Sequence, residues 1–294
     1  MIIKEPQIAV LLAAYNGKRW LEEQIDSILR QNGVVVTLYI SVDLSTDGTE
    51  EMVFEKFGGY SNVVILNYGK RYGSAASNFF RLIREVEYIK YDYVALADQD
   101  DIWFEAKLIK AVEAMIFNKC SAYSSDVIAM WSGEHKRLLK KSYPQTEFDY
   151  YFESPGPGCT FVLESTLLSE FHSDFESFEE YARQITTNHD WFIYAYVRSI
   201  GESWYIDNHV YMYYRQHVDN EVGMNSGFGA YLHRLKLIRS RWYRKQVKLM
   251  FRSFSPDLES KVLNWSSLLS NFYQLRRRPR DKFILGIMIL LGIF

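Results

Sequence analysis

Tyr93-Val94-Ala95-Leu96-Ala97-Asp98-Gln99-Asp100-Asp101-Ile102-Trp103-Phe104 is the stretch from which the rest of the chain is read. Tyr93–Ala97 has the length and composition of a buried strand, and three carboxylates in four positions follow it at once. Carboxylates this close repel one another unless a cation sits among them. A diphosphate-bearing substrate needs such a divalent ion, held by one or two carboxylates and by phosphate oxygens. A solvated acidic turn is the competing reading. The apolar flanks, Val94–Ala97 before and Ile102–Phe104 after, put the acids at the edge of a core and favour a metal site, with Asp98 and Asp100 as ligands of Mn2+ or Mg2+.

On either side of this stretch, short apolar runs alternate with longer amphipathic ones, the pattern of βαβ units around a mostly parallel sheet. The pattern predicts strands at Ile8–Ala13, Val35–Val42, Val63–Asn67, Tyr93–Ala97 and Ala122–Trp131. It predicts helices at Trp20–Arg30, Glu50–Phe57, Ser77–Val86 and Lys107–Phe117. Polar residues gather just after the strands: Tyr15 and Asn16 after the first, Asp43 after the second, Asp98–Asp101 after the fourth. Ligands of open α/β sheets bind outside those carboxyl ends. The phosphate fingerprints G-x-G-x-x-G and G-x-x-x-x-G-K-[ST] are both missing, which argues against a dinucleotide dehydrogenase and a P-loop nucleotidase.

With 48% hydrophobic and 24% charged residues, the 294-residue chain can bury a large core and is not a disordered one. Its two cysteines, Cys120 and Cys159, cannot form a disulfide framework, so a reducing compartment is expected. The net charge of −2 hides a split: residues 231–294 hold fourteen Lys and Arg against three acids, a balance of +11. The remainder carries −13, an asymmetry that implies different partners for the two parts. Ile8–Ala14 is too short and too soon followed by charge for a signal peptide, and no run in the body reaches a membrane span.

Four patches together carry a resemblance: Ala13-Ala14-Tyr15-Asn16-Gly17, Val42-Asp43-Leu44-Ser45-Thr46-Asp47-Gly48-Thr49, Asp98-Gln99-Asp100-Asp101-Ile102-Trp103, and His189-Asp190-Trp191. Tyr214-Arg215-Gln216-His217, with Asn220 and Gly223, adds a fifth. In this order and spacing they resemble family 2 glycosyltransferases of the GT-A type, and in particular the rhamnosyltransferases of bacterial surface polysaccharides. The resemblance spans roughly residues 5–225 and implies an α/β GT-A fold, a central sheet flanked by helices.

What the resemblance implies can be matched to physical roles. An Asp at the position of Asp43 accepts a hydrogen bond from a pyrimidine base, and Ala14, Tyr15 and Asn16 line the same pocket; Val42 stands where the family often has a second acid. Ser45, Thr46 or Asp47 could equally cap the following helix. Gly73 and Asn78, at a helix start after Lys70-Arg71, are expected near the nucleoside, an ordinary turn and cap being the equal alternative. Gln99 joins the donor contacts. Gly158, Cys159 and Thr160, with Trp103 and Trp191, are expected to line the pocket for donor sugar and acceptor, Cys159 as a small buried residue and not a nucleophile. Asp190 is the expected general base of an inverting transfer, with a helix cap as its structural alternative. Arg215 and His217 could neutralise the diphosphate once the following loop closes; for His217 a purely structural role is equally open.

From Tyr231 onward, apolar residues recur at 231, 235, 238 and 242 with basic residues near another face, reading as an amphipathic helix on an anionic membrane surface. Arg276–Arg280 and the apolar Phe283–Phe294 would extend that contact, and a helical hairpin packed on the domain is the alternative. Nucleic acid is excluded as a partner by the acidic body. The expectation is thus a GT-A domain at 1–225 and a basic helical extension at 226–294, peripheral on the cytoplasmic face of the membrane. The favoured donor is dTDP-L-rhamnose and the acceptor a lipid-linked glycan. UDP-glucose, UDP-galactose and a UDP-HexNAc stay open as donors, as do a nucleotidyltransferase and a non-catalytic nucleotide-sugar-binding subunit.

Overall fold

Strand β1 (Gln7–Ala14) is apolar from Ile8 onward because protein covers both of its faces. A computed structural model describes residues 4–131, 135–185, 188–217 and 241–294. In it Ala9, Leu11 and Ala13 point into one hydrophobic cluster and Ile8, Val10, Leu12 and Ala14 into another. The two-residue period of the strand therefore makes an unbroken apolar run the centre of a three-layer sandwich. β1 pairs in parallel with β2 (Val35–Val42) and with β4 (Tyr93–Ala97), and β2 pairs in parallel with β3 (Val63–Ile65). Helices α1 (Leu21–Leu29), α2 (Thr49–Phe57) and α3 (Ala75–Glu85) make the crossovers. β2 and β3 add to one side of β1 and β4 to the other, so the junction of β1 and β4 is the topological switch point where open sheets bind ligands.

The second half of the sheet departs from the parallel rule. β5 (Ile102–Trp103), β6 (Ala122–Met130), β7 (Lys136–Leu139), β8 (Val162–Glu164) and β9 (Trp204–Arg215) complete nine strands in the order β3-β2-β1-β4-β8-β6-β9-β5, with β7 paired on β6. β8 runs antiparallel to both β4 and β6, whereas β9 is parallel to β6. Strands of two and three residues, such as β5 and β8, are too short to show a period, which is why the sequence does not announce them. α4 (Lys107–Asn118) covers one face; α6 (Ser165–Ala182) and α7 (His189–Ser199) cover the other.

The C-terminal helices α8 (Trp242–Phe254), α9 (Pro256–Val262), α10 (Trp265–Asn271) and α11 (Pro279–Leu290) share that second face. Val247, Leu249, Met250 and Phe251 of α8 lie in one cluster with Phe152, Phe178 and Phe192. The Phe251 ring stacks on Tyr151 at 3.9 Å between centroids. The described part of the stretch expected to lie on lipid thus gives its apolar face to protein; Tyr231, Leu235 and Ile238 of that stripe, like Asn220 and Gly223, lie outside the described residues. Arg276 and Arg277, expected to face lipid, are turned inward: Arg277 is buried, with its guanidinium on the buried Asp149 at 2.6 Å. Among the described residues no helix is long and apolar enough to cross a membrane.

Candidate active site

The loops after β1, β2 and β4 are knitted by side chains into one floor. Asn16 sits in the left-handed region at φ 47°, tolerable for asparagine, and its side-chain oxygen accepts from the Thr46 N–H at 2.8 Å while its own N–H donates to the Ser45 hydroxyl. The Tyr15 N–H donates to Gln99 Oε1 at 2.8 Å, which pins the β1 loop to the acidic loop at the switch point. A Cβ on Gly17 would lie 2.2 Å from that same Gln99 oxygen, so any larger residue there has to displace the amide. The Tyr15 side chain is exposed.

Asp43 is buried, and its carboxylate accepts three backbone N–H bonds at 2.7 Å, from Leu44 and Tyr72 on one oxygen and from Gly73 on the other. It therefore holds the loop containing Gly73 against the end of β2. Ser74, next in line, caps α3 by accepting from the Ser77 N–H. Asn78 is buried beneath, donating to the Ser41 and Ala14 carbonyls and accepting from the Ser41 hydroxyl, so it braces the ends of β1 and β2. Asp47 takes the cap-like role before α2, accepting from the Thr49 N–H at 3.0 Å.

The acidic loop divides into layers. Asp101 is fully buried; one oxygen accepts from the Arg215 N–H, the other receives no N–H or O–H bond, and burial with Asp100 and Asp98 nearby raises its carboxyl well above the ordinary range. Asp98, Asp101 and the Cys159 sulfur each present an atom within 4.8 Å of the others. Burial also raises the Cys159 thiol, so it stays protonated and serves as floor. Asp100 Oδ2 lies 2.7 Å from His217 Nε2, and the Arg215 guanidinium donates to the Asp100 carbonyl at 2.8 Å. The carboxylate oxygens of this loop are hard donors of the kind that Mg2+ or Mn2+ takes, and Asp101 lies buried beside Asp98 and the Cys159 sulfur. Trp103 packs in the core, with the buried Lys107 ammonium 3.6 Å over its ring; burial lowers that lysine to about 7.

Asp190 stands in the first turn of α7, where the helix N-terminus favours an anion. One oxygen accepts from the Trp191 N–H at 2.7 Å and the other lies 3.0 Å from the Ser154 hydroxyl. Burial nonetheless pushes its carboxyl up to about 6, against these bonds and the nearby Lys141. His189 stacks on Phe79 at 4.2 Å and is held neutral by burial, down to about 3. The Trp191 indole donates to the Tyr150 carbonyl, and Thr160 is buried with its hydroxyl on the Pro157 carbonyl. A Cβ on Gly158 would meet His189 Nε2 at 2.8 Å and lie 3.4 Å from the Asp190 Cβ. Gly158 thus touches the Asp190 side while its neighbour Cys159 touches the acidic cluster. The two acidic centres each approach one of two consecutive residues of the chain.

Acids at the switch point of a sheet, outside the carboxyl ends of its parallel strands, mark a ligand site. Residues 9–162 match the model of "Glycosyl transferase family 2", and the chain belongs to this family: it is a hexosyltransferase that uses a nucleotide-sugar donor. It is 40% identical over 290 residues to the dTDP-rhamnosyl transferase RfbG of Shigella flexneri, covering 96% of this chain and all of that one. The fold resembles S. aureus TarS 1-349 in complex with UDP-GlcNAc, with a TM-score of 0.59 at 13% identity over 98% of this chain and 80% of that one. For the same protein in complex with UDP the TM-score is 0.58 at 12% identity, over 97% and 92%.

Several residues at the site escape sequence reasoning. Trp20 lies beneath the Arg215 guanidinium at 4.3 Å, with Arg19 4.2 Å from the same ring and His217 stacked at 5.8 Å. Glu23, one helical turn on, pairs with Arg215 at 2.5 Å. An Arg-Trp pair just before a helix was the only local signal. Lys141 and Ser154 carry none, because they come near Asp190 only through the fold.

Proposed function

We propose that this chain transfers L-rhamnose from dTDP-L-rhamnose, with inversion, to a lipid-linked glycan during cell-surface polysaccharide synthesis. The observation that supports the reaction is that the acidic cluster approaches Cys159 while Asp190 approaches Gly158, the residue before it, so that a leaving diphosphate and an acceptor hydroxyl would meet near this pair. Asp190 takes the hydroxyl proton, its ionised form favoured by the Trp191 N–H and the start of α7. Asp98 and Asp100 would hold Mn2+ or Mg2+, which supplies Lewis-acid stabilisation of the diphosphate. Arg215, ordered by Trp20 and Glu23, adds positive charge on the same side, with the His217 imidazole beside it on Asp100. Tyr15, Asp43 and the Gly73 loop form the nucleoside end of the groove.

The donor reading is supported by the full-length likeness to a dTDP-rhamnosyl transferase. Membrane attachment is supported by α11, whose Phe283 and Leu290 are 67% and 64% exposed on one stripe with Ile287, beside Arg278, Arg280 and Lys282. At twelve residues, about 18 Å, this helix can lie in an anionic interface on the cytoplasmic side but not span the bilayer. The test is turnover of dTDP-L-rhamnose against UDP-glucose, UDP-galactose and UDP-GlcNAc with Mn2+ or Mg2+, with the product's anomeric configuration read by NMR. A UDP-sugar turned over in place of dTDP-L-rhamnose would overturn the donor, and retention would overturn the mechanism.

A further inference from the structure

The C-terminal helices reach the acceptor side of the site through two consecutive arginines. The Arg277 guanidinium donates to the Asp149 carboxylate and to the Ser154 carbonyl, each at 2.6 Å, and its backbone N–H donates to Glu153. Arg276 lies 3.4 Å from the Glu153 carboxylate and donates to the Phe152 carbonyl at 3.2 Å and the Tyr243 hydroxyl at 2.9 Å. Helix α5 (Asp149–Phe152) and the turn after it are therefore gripped from behind by the extension. At the end of that turn the Ser154 hydroxyl lies 2.6 Å from the Gly156 carbonyl and 3.0 Å from Asp190 Oδ2, with one proton to share between them. Asp149 is itself closed off: fully buried, it also accepts from the Tyr194 hydroxyl at 2.8 Å, with Arg198 at 3.8 Å.

We propose that Arg277 is a positioning residue for the general base, fixing the Ser154 turn so that its hydroxyl stays on Asp190, which makes the C-terminal extension a working part of the acceptor side. The proposal rests on the reading of Asp190 as base. Arg277 never touches the reacting atoms; it acts along the path guanidinium, Ser154 carbonyl, Ser154 hydroxyl, Asp190 carboxylate. Among the described residues, the charged and titratable groups around this corner include Lys141 from the segment after β7, Asp149 and Glu153 from α5 and the turn after it, Arg276 and Arg277 from the extension, and His189 and Arg198 on α7. A hydroxyl donating to a carboxylate favours its ionised form, so loss of that bond makes the base harder to ionise.

The experiment is steady-state kinetics of the full chain across pH 5–8.5 for Ser154→Ala, Arg277→Lys and Asp190→Asn. Ser154→Ala is expected to lower kcat about tenfold, the effect of one hydrogen bond to a charged group, and to move the acid limb to higher pH with KM for the donor unchanged. Arg277→Lys keeps the positive charge beside Asp149, so the protein folds, but cannot reproduce the two-pronged contact. It is expected to shift kcat and the acid limb in the same direction. Melting temperature and its rise on adding the nucleotide report folding and donor binding independently. Wild-type kcat and acid limb in both variants, beside an inactive Asp190→Asn, would overturn the positioning role and leave the base standing. Full turnover in Asp190→Asn would instead remove the base reading itself.

Discussion

Asp190 sets the expected pH dependence. Its carboxyl is raised by burial to about 6, and it accepts a proton only when ionised, so turnover should be flat above that value and fall as pH drops through it. A pH-rate profile checks this; a limb near the ordinary carboxylate value would contradict the buried setting. Asp190→Asn should lose about 10²–10⁴ in kcat while binding the donor normally, measured by calorimetry beside the assay. On the opposite side, Asp100→Ala should weaken donor binding in the presence of Mn2+, with little change once chelator is added; equal loss in both conditions would detach Asp100 from the metal. These acids are legible in sequence because carboxylates next to apolar runs have few other uses. Trp20, Lys141, Ser154 and Arg277 are not, since each gains its role from a neighbour distant along the chain.

Length accounts for part of what the sequence shows, since the three-residue β3 is among the predicted strands while the eighteen-residue α6 is not among the predicted helices. Val35–Val42 and Tyr93–Ala97 are strands with the ends the sequence predicts, and helices α1 to α4 fall within two residues of expectation. A long period leaves a readable trace, whereas β5 and β8 borrow their pairing from β9, β4 and β6 and leave none. Gly17 marks where an element's end meets its neighbour: Gly17→Ala should drive the Gln99 amide off the Tyr15 N–H and weaken nucleotide binding several-fold, read from the nucleotide's thermal shift. Phe251 of α8, buried against Tyr151, should destabilise the fold by about 3–5 kcal/mol on change to alanine, measurable by urea unfolding.

For the whole molecule, the extension and the sheet share one core, and this alters how membrane attachment must be tested. Truncation at residue 230 removes Phe251, Leu263, Leu275 and Ile289 from that core and should yield an aggregating protein. The informative variant is the full chain with Phe283→Ser and Leu290→Ser, whose side chains are exposed and whose loss should leave the melting temperature unchanged. Co-sedimentation with anionic vesicles should drop for this variant and also in high salt; pelleting equal to the parent chain would exclude α11 as the contact.

The sequence by itself determined the alternating α/β pattern with acids after its strands, and the class of the protein followed from the resemblance that those motifs carry in their order. It also exposed the charge split between body and tail, because net charge needs no coordinates. Only the tertiary structure decided where that tail goes. Arg276 and Arg277 look like lipid-facing charge in one dimension, yet the buried Asp149 and the Glu153 carboxylate take them inside. An ion pair between residues 128 positions apart has no local signature, and with it buried the exposed apolar side chains of α11 are among those that the described part of the extension presents to its surroundings.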